Sequence, residues 1–322
     1  DSSGKNLLGE ILEVEDTVFT TTNFDPTQPS WYFIEVNDFY GYSTFSSGYY
    51  ILDNNPSIPG LLVPKYNNGN LISGFTEVGY RVIIFDNRDI GLSARCPKDG
   101  FSYDKENIVK TIDAGKNVVP AYSLDDMALD VIGLMDTIGI DKAHIFGMSL
   151  GGAITQVLLI NHQARILSAV IVMSSSKLSD QSRIKKIALQ HTSKYEYIEN
   201  AVSENKLWGN SSFPVSENYV RDVSGRAFDR GAESEAVNRQ ASAVYSFGDR
   251  REALKATNLP CLVIHGEDDV LVLPEEGKEI SSLIKDSEIK IIGGMGHEIT
   301  PLLSSTIINL VHDFLSRRCN IK

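Results

Sequence analysis

Short apolar and β-branched runs recur along the chain: "SWYFIEV", "GYYILDN", "YRVIIFD", "KAHIFGM", "LSAVIVM", "PCLVIHG" and "SEIKIIG", separated by stretches long enough for helices. The later runs are almost continuously apolar, as strands buried on both faces are. This alternation predicts a parallel sheet covered by helices on both sides. Two of the intervening helices are legible in the spacing. One starts at Ser123, where Ser-x-x-Asp is a relative of the capping box, and carries Met127, Val131, Leu134, Met135 and Ile138 along one face. The other starts directly after Ser149.

From about Lys177 to Asn258 the strand-like runs stop, leaving a charged, helix-prone stretch with Tyr195, Tyr197, Trp208, Tyr219 and Phe228 as scattered apolar anchors. A single helical crossover does not need roughly 80 residues, so an inserted cap subdomain is expected. At the other end of the chain, "TTTNFDPTQPSW" reads as an extended arm or surface loop.

Composition narrows the function classes. The 322 residues suffice for one large α/β domain or two small ones. An excess of 42 acidic over 30 basic residues gives a net charge of −12, which repels phosphate backbones and anionic lipid surfaces. Nucleic acid and membrane are therefore not expected as partners, and no apolar run reaches the roughly 18 residues a spanning helix needs, so a soluble protein is expected. Cys96, Cys261 and Cys319 are odd in number and widely spaced, which offers no disulfide framework or metal site. Cys261, inside "PCLVIHG", is expected in the core. The opening "DSSGKNLLGE" has no initiator Met; a cytoplasmic location is expected, with secretion after removal of a leader as the alternative. The sequon Asn210-Ser211-Ser212 would matter only in the second case.

The strongest chemical signal is Gly147-Met148-Ser149-Leu150-Gly151, after one predicted strand and before a predicted helix. A serine on such a turn projects its hydroxyl clear of the sheet, with glycines where side chains would clash. The alternative is a glycine-rich turn with a capping serine. A serine hydroxyl needs a base to take its proton, and the base needs a group to orient it. Downstream, Glu267, Asp268 and Asp269 follow "CLVIHG", and His297 follows the glycine-rich "IKIIGGMG". Asp269, three residues after Gly266 and five before Pro274, is preferred over Asp268, with Glu267 also within one turn. His144 and His265 fall in or at the end of apolar strands, His162 and His191 in helix-like stretches and His312 on the last helix, all read as structural. The dense charges of "DNRDIGLS" (Asp86 to Ser93) are read as ties that hold a loop down. There is no HExxH, GxGxxG after a strand, or GxxxxGK[ST], so no metal and no nucleotide cofactor is expected.

These residues carry a resemblance. "GYRVIIFDNRDIGLSAR" (Gly79 to Arg95), "YSLDDMALDVIGLMDTIGIDKAHIFGMSLGG" (Tyr122 to Gly152), "GDRREAL" (Gly248 to Leu254) and "LVIHGEDDVLVLPEEG…GGMGH" (Leu262 to His297) are similar to an α/β-hydrolase. Within that superfamily the chain resembles bacterial serine-dependent esterases of the aclacinomycin methylesterase type, from about Phe33 to the C-terminus.

The resemblance implies an α/β-hydrolase fold: a mostly parallel central sheet flanked by helices, with a helical cap inserted after the sixth strand. The expected division is an N-terminal arm over 1–32, a core over 33–176 and 259–322, and the cap over 177–258. It implies Ser149 as nucleophile, His297 as general base, Asp269 as its orienting acid and the Leu150 N–H as one oxyanion donor. Relatives usually carry a His-Gly or glycine-rich turn for the second donor; here Asn55 to Gly60 contains two prolines, and Ser57 or Ile58 is assigned that donor. The function expected is hydrolysis of a carboxylic ester of a small or medium-sized molecule through an acyl-enzyme, without cofactor. The alternatives are a non-catalytic ligand-binding protein or receptor on the same fold, or cleavage of a lactone, amide or carbon–carbon bond by the same triad.

Overall fold

A computed structural model describes the backbone of residues 11–12, 20–21, 32–37, 49–50 and 69–70, and residues 71–319 apart from 92, 178–189, 192 and 247. Most of the expected N-terminal arm and the turn Asn55 to Gly60, with Ser57 and Ile58, lie outside the described residues. In chain order the strands are β1 (Ile11–Leu12), β2 (Thr20–Thr21), β3 (Tyr32–Asn37), β4 (Tyr49–Tyr50), β5 (Arg81–Asp86), β6 (Ala143–Met148), β7 (Ile166–Val172), β8 (Cys261–Gly266) and β9 (Ser287–Ile292). β1 and β2 form a separate antiparallel pair. The main sheet runs β5-β3-β6-β7-β8-β9, every neighbouring pair parallel, and β4 adds antiparallel to the end of β6 through Tyr49 and Tyr50.

Parallel pairing places helices between successive strands. They are α1 (Gly69–Glu77), α2 (Lys105–Asp113), α3 (Leu124–Thr137), α4 (Leu150–Asn161), α5 (Lys194–Trp208), α6 (Glu217–Asp229), α7 (Ser234–Ser246), α8 (Arg251–Leu254), α9 (Pro274–Leu283) and α10 (Ser304–Arg318). α3 is the helix expected at Ser123: the Ser123 hydroxyl accepts from the Asp126 N–H and the Asp126 carboxylate accepts from the Ser123 N–H, a full capping box. Its face Met127, Val131, Leu134 and Met135 is buried. Every residue of β6 and of β8 is buried, Cys261 among them, which explains the unbroken apolar runs. Successive β6 residues point to opposite faces. Phe146 meets Phe75 of α1 edge-on at 6.2 Å between ring centres, while Gly147 faces Thr155 of α4, so α1 and α4 lie on opposite faces of the sheet.

Between β7 and β8 the chain forms α5 to α8, with no described strand. This stretch follows β7, the seventh described strand along the chain and the fifth of the main sheet. α5 and α6 pack through Ala201, Val202, Val220 and Val223. α7 is buried from Ala236 to Tyr245. Tyr197 and Phe228 anchor this region as expected, each meeting the His191 ring edge-on. Two expectations here are corrected. Tyr195 is 71% exposed, since two residues along a helix from buried Tyr197 is nearly the opposite face. His191 precedes α5 outside any described helix and bonds the Ala232 carbonyl at 2.9 Å.

Candidate active site

β6 ends at Met148, and the chain enters α4 through one residue, Ser149. Ser149 has φ 52° and ψ −114°, a left-handed conformation that costs a residue with a Cβ on the order of 1–3 kcal/mol. Its N–H donates to the Val172 carbonyl of β7 at 2.8 Å, which fixes the turn. A Cβ at Gly147 would run into the Thr155 hydroxyl and the Gly151 carbonyl, so strand and helix approach this closely only with glycine there. The Ser149 side chain makes no cap bond to α4, against the capping-serine alternative. Its Oγ instead lies 3.0 Å from Nε2 of His297. Leu150, the expected oxyanion donor, is the first residue of α4, where the helix dipole is positive.

The other two expected residues follow β8 and β9, so all three sit beyond the C-terminal ends of strands. His297 Nδ1 is 2.7 Å from Asp269 Oδ2, and both side chains are essentially fully buried. The other Asp269 oxygen accepts the N–H groups of Leu271 and Val272, each at 2.9 Å. Burial pushes the Asp269 carboxyl up, but the His297 charge, hydrogen bonds from His265 and His297, and the Val272 N–H outweigh it and hold the group well below the usual carboxylate range. An ionised carboxylate only accepts, so Nδ1 of His297 carries the hydrogen and Nε2 is left to accept from the Ser149 hydroxyl. Of the three candidate acids, Asp269 is the one that bonds His297. Asp268 and Glu267 are exposed, and Asp268 bonds the Ser211 hydroxyl.

Two neighbours were not legible as site residues in the sequence. His265, read as structural, is fully buried with Nε2 2.8 Å from the Val272 carbonyl and 3.3 Å from Asp269 Oδ2. The carbonyl can only accept, so Nε2 carries the hydrogen and lies between two acceptors, beside the same carboxylate oxygen that His297 bonds. Glu298 is 8% exposed and accepts from the side-chain amides of Asn205 and Asn210 at 3.1 Å each. Burial pushes its carboxyl up to about 7, with the Asn210 and Asn205 bonds pulling the other way. A four-residue spacing is the only sequence signal for His265, and Asn210 lies 88 positions from Glu298, with no local signal at all. The sequon reading of Asn210 is also resolved: the side chain is buried, with both ends of its amide bonded.

The charges of "DNRDIGLS" tie elements together. Arg88 forks onto Asp130 of α3 at 2.6 and 2.7 Å, Asp89 onto Arg239 of α7 at 2.7 and 2.9 Å, and Asp86 onto Arg230 at the end of α6 at 2.7 Å. Among the described residues no group of three or more His, Cys, Asp or Glu side chains could hold a metal ion, and no helix is long and apolar enough to cross a membrane.

Residues 56–300 match the model of a family described as the alpha/beta hydrolase fold. RutD from Variovorax paradoxus strain S110, a candidate carbamate hydrolase, is 25% identical over 252 residues, covering 76% of this chain and 85% of that protein. Rhodomycin D methylesterase DnrP from Streptomyces peucetius is 28% identical over 117 residues, 36% of this chain and 33% of that protein. Among solved structures, the enol-lactonase from Burkholderia xenovorans LB400 superposes with a TM-score of 0.56 at 19% identity, covering 84% of this chain and 97% of that one. The fold is thus shared across relatives with different named substrates, and these relatives support a hydrolytic activity.

Proposed function

The chain belongs to the alpha/beta hydrolase fold family, and from that premise we propose that it is a serine hydrolase cleaving a carboxylic ester of a small or medium-sized molecule. The observation that carries the reading is the relay from Ser149 Oγ to His297 Nε2 at 3.0 Å and from His297 Nδ1 to Asp269 at 2.7 Å, on a strained serine turn. Ser149 Oγ attacks the ester carbonyl while its proton passes to His297 Nε2, and Asp269 stabilises the resulting imidazolium. The Leu150 N–H faces the developing oxyanion, and Ser57 or Ile58 supplies the second donor. His297 returns the proton to the leaving alkoxide, the C–O bond breaks, and the alcohol departs. Water then repeats the sequence on the acyl-enzyme: His297 takes its proton, hydroxide adds to the carbonyl, and Ser149 leaves with that proton restored.

In this reading residues 177–258, with α5 to α8, form a cap over the core of 33–176 and 259–322 and shape the substrate pocket. The rhodomycin D methylesterase likeness favours an ester over the carbamate named for RutD, because it agrees with the motif resemblance in the sequence. The partner is a small molecule, and the chemistry uses no metal or cofactor.

The test needs no guess at the substrate. A fluorophosphonate reacts with a serine that a neighbouring base activates, and intact-mass and peptide mapping locates the adduct. One adduct on Ser149, lost in Ser149→Ala and in His297→Ala, is the expected result. Folded wild-type protein that takes no adduct would overturn the reading and favour a ligand-binding role for the same pocket.

A further inference from the structure

A catalytic histidine on a loop must be held by its backbone as well as by its acid, and the loop Gly293 to Glu298 receives much of that support from outside the sheet. The His297 N–H donates to the Trp208 carbonyl at 2.8 Å, and the Gly296 N–H donates to Asn210 Oδ1 at 2.9 Å. The Asn210 amide nitrogen donates to Glu298 Oε1 at 3.1 Å and lies 3.4 Å from the Glu298 carbonyl. Asn205, on the last turn of α5, donates to both Glu298 carboxylate oxygens at 3.1 and 3.2 Å. The Ser212 N–H donates to the Gly294 carbonyl at 3.1 Å. A Cβ at Gly296 would run into the carbonyls of Trp208 and Gly209, so the two segments lie backbone to backbone.

We infer that the segment Asn205 to Ser212 is a strap that positions the general base: Asn210 and Asn205, clasped to Glu298, fix the loop on both sides of His297 so that Nε2 faces Ser149. The inference rests on the triad reading above. Asn205, Asn210 and Glu298 are positioning residues that act through His297. Both backbone N–H groups at residues 296 and 297 end on the insertion, so a shift of α5 relative to the sheet moves the proton acceptor and is felt in the chemical step. The carboxylate suits this place because one group can accept from two asparagines that approach it from different parts of the insertion. Tyr219 of α6 also feels this charge: burial first, and then Glu298, pushes its phenol up to about 12.

The test is the rate and the final stoichiometry of fluorophosphonate labelling of Ser149 in the full chain, followed by intact mass. A merely structural role lowers the fraction of molecules labelled and leaves the rate of the remainder unchanged. Lost positioning slows the rate at full stoichiometry. Asn210→Ala and Glu298→Ala are expected to label about ten- to a hundredfold more slowly at full stoichiometry, the scale of a misplacement near 1 Å. Glu298→Gln keeps an accepting oxygen and should stay within about threefold of wild type, the rescue a positioning role requires. Should Asn210→Ala fold poorly, Asn205→Ala, which removes one donor from a half-buried side chain, is expected to slow labelling severalfold. Ser203→Ala, on the exposed side of α5, is the control at the wild-type rate. Wild-type rates in Glu298→Ala and Asn205→Ala would overturn the strap, as would Glu298→Gln as slow as Glu298→Ala. A wild-type protein that takes no adduct fails the triad reading and the strap with it, a result distinct from slow variants beside a reactive wild type.

Discussion

Asp268 and Asp269 are neighbours of the same residue type, and only their environments separate them. Asp269 is buried and accepts from His297 and from the N–H groups of Leu271 and Val272, whereas Asp268 points outward to the Ser211 hydroxyl. Replacing Asp269 by asparagine puts an amide opposite Nδ1. When its nitrogen faces the ring, the imidazole must carry its hydrogen on Nε2 and can no longer accept from Ser149. Asp269→Asn is therefore expected to lower kcat on the order of 10⁴-fold with the fold intact, and Asp268→Asn to change it less than about threefold. Steady-state kinetics on any ester that the protein turns over checks this, and equal losses in the two variants would undo the assignment. Spacing in the sequence pointed to Asp269, the acid that lies against His297 in the structure, because the loop after β8 is short. It gave no access to His265, whose part depends on where its ring turns once β8 is packed.

Elements were legible where their pattern is enforced locally. α3 carries its own cap and its own apolar stripe, and β6 to β8 are read directly from unbroken apolar runs because both of their faces are covered. Of "GYYILDN", Tyr49–Tyr50 pair with β6, and the rest of the run lies outside the described residues. Within α5, Tyr195 and Tyr197 are the same residue type two positions apart, and which one is buried depends on the phase of the helix against a partner distant in sequence. The loop after β5 was legible as a structural tie but not in its partners, which come from three different helices. Its deepest contact is Asp89 with Arg239, 0% and 5% exposed. Removing one partner leaves the other charge buried and uncompensated, so Asp89→Ala should cost about 3–5 kcal/mol in urea unfolding. Asp89→Ala with Arg239→Met should cost less than the sum of the two single changes. Strict additivity would mean that the pair does not couple the insertion to the core.

For the whole molecule, buried titratable groups set opposing slopes of stability against pH. Burial holds the His144 imidazole down to about 3, so its contribution is present above an unfolded value near 6.5 and is lost as pH falls. Glu298 runs the other way. Its carboxyl is raised from an unfolded value near 4.5 to about 7, so its contribution is present below the first value and is lost as pH rises through the second. Asp269, held low, acts only at and below the ordinary carboxylate range, outside the region between pH 5 and 8. Glu298→Gln removes its own slope and leaves the others. The variant should gain on the wild type by up to about 3 kcal/mol between pH 5 and pH 8, measured as the difference between paired urea-unfolding curves. A difference that is the same at both pH values would refute the buried, ionisable state of Glu298. The predicted gain has a further consequence. Glutamine there should label at nearly the wild-type rate and lose no stability to ionisation as pH rises, which separates the accepting oxygen that the strap needs from the charge that the fold must carry to keep it.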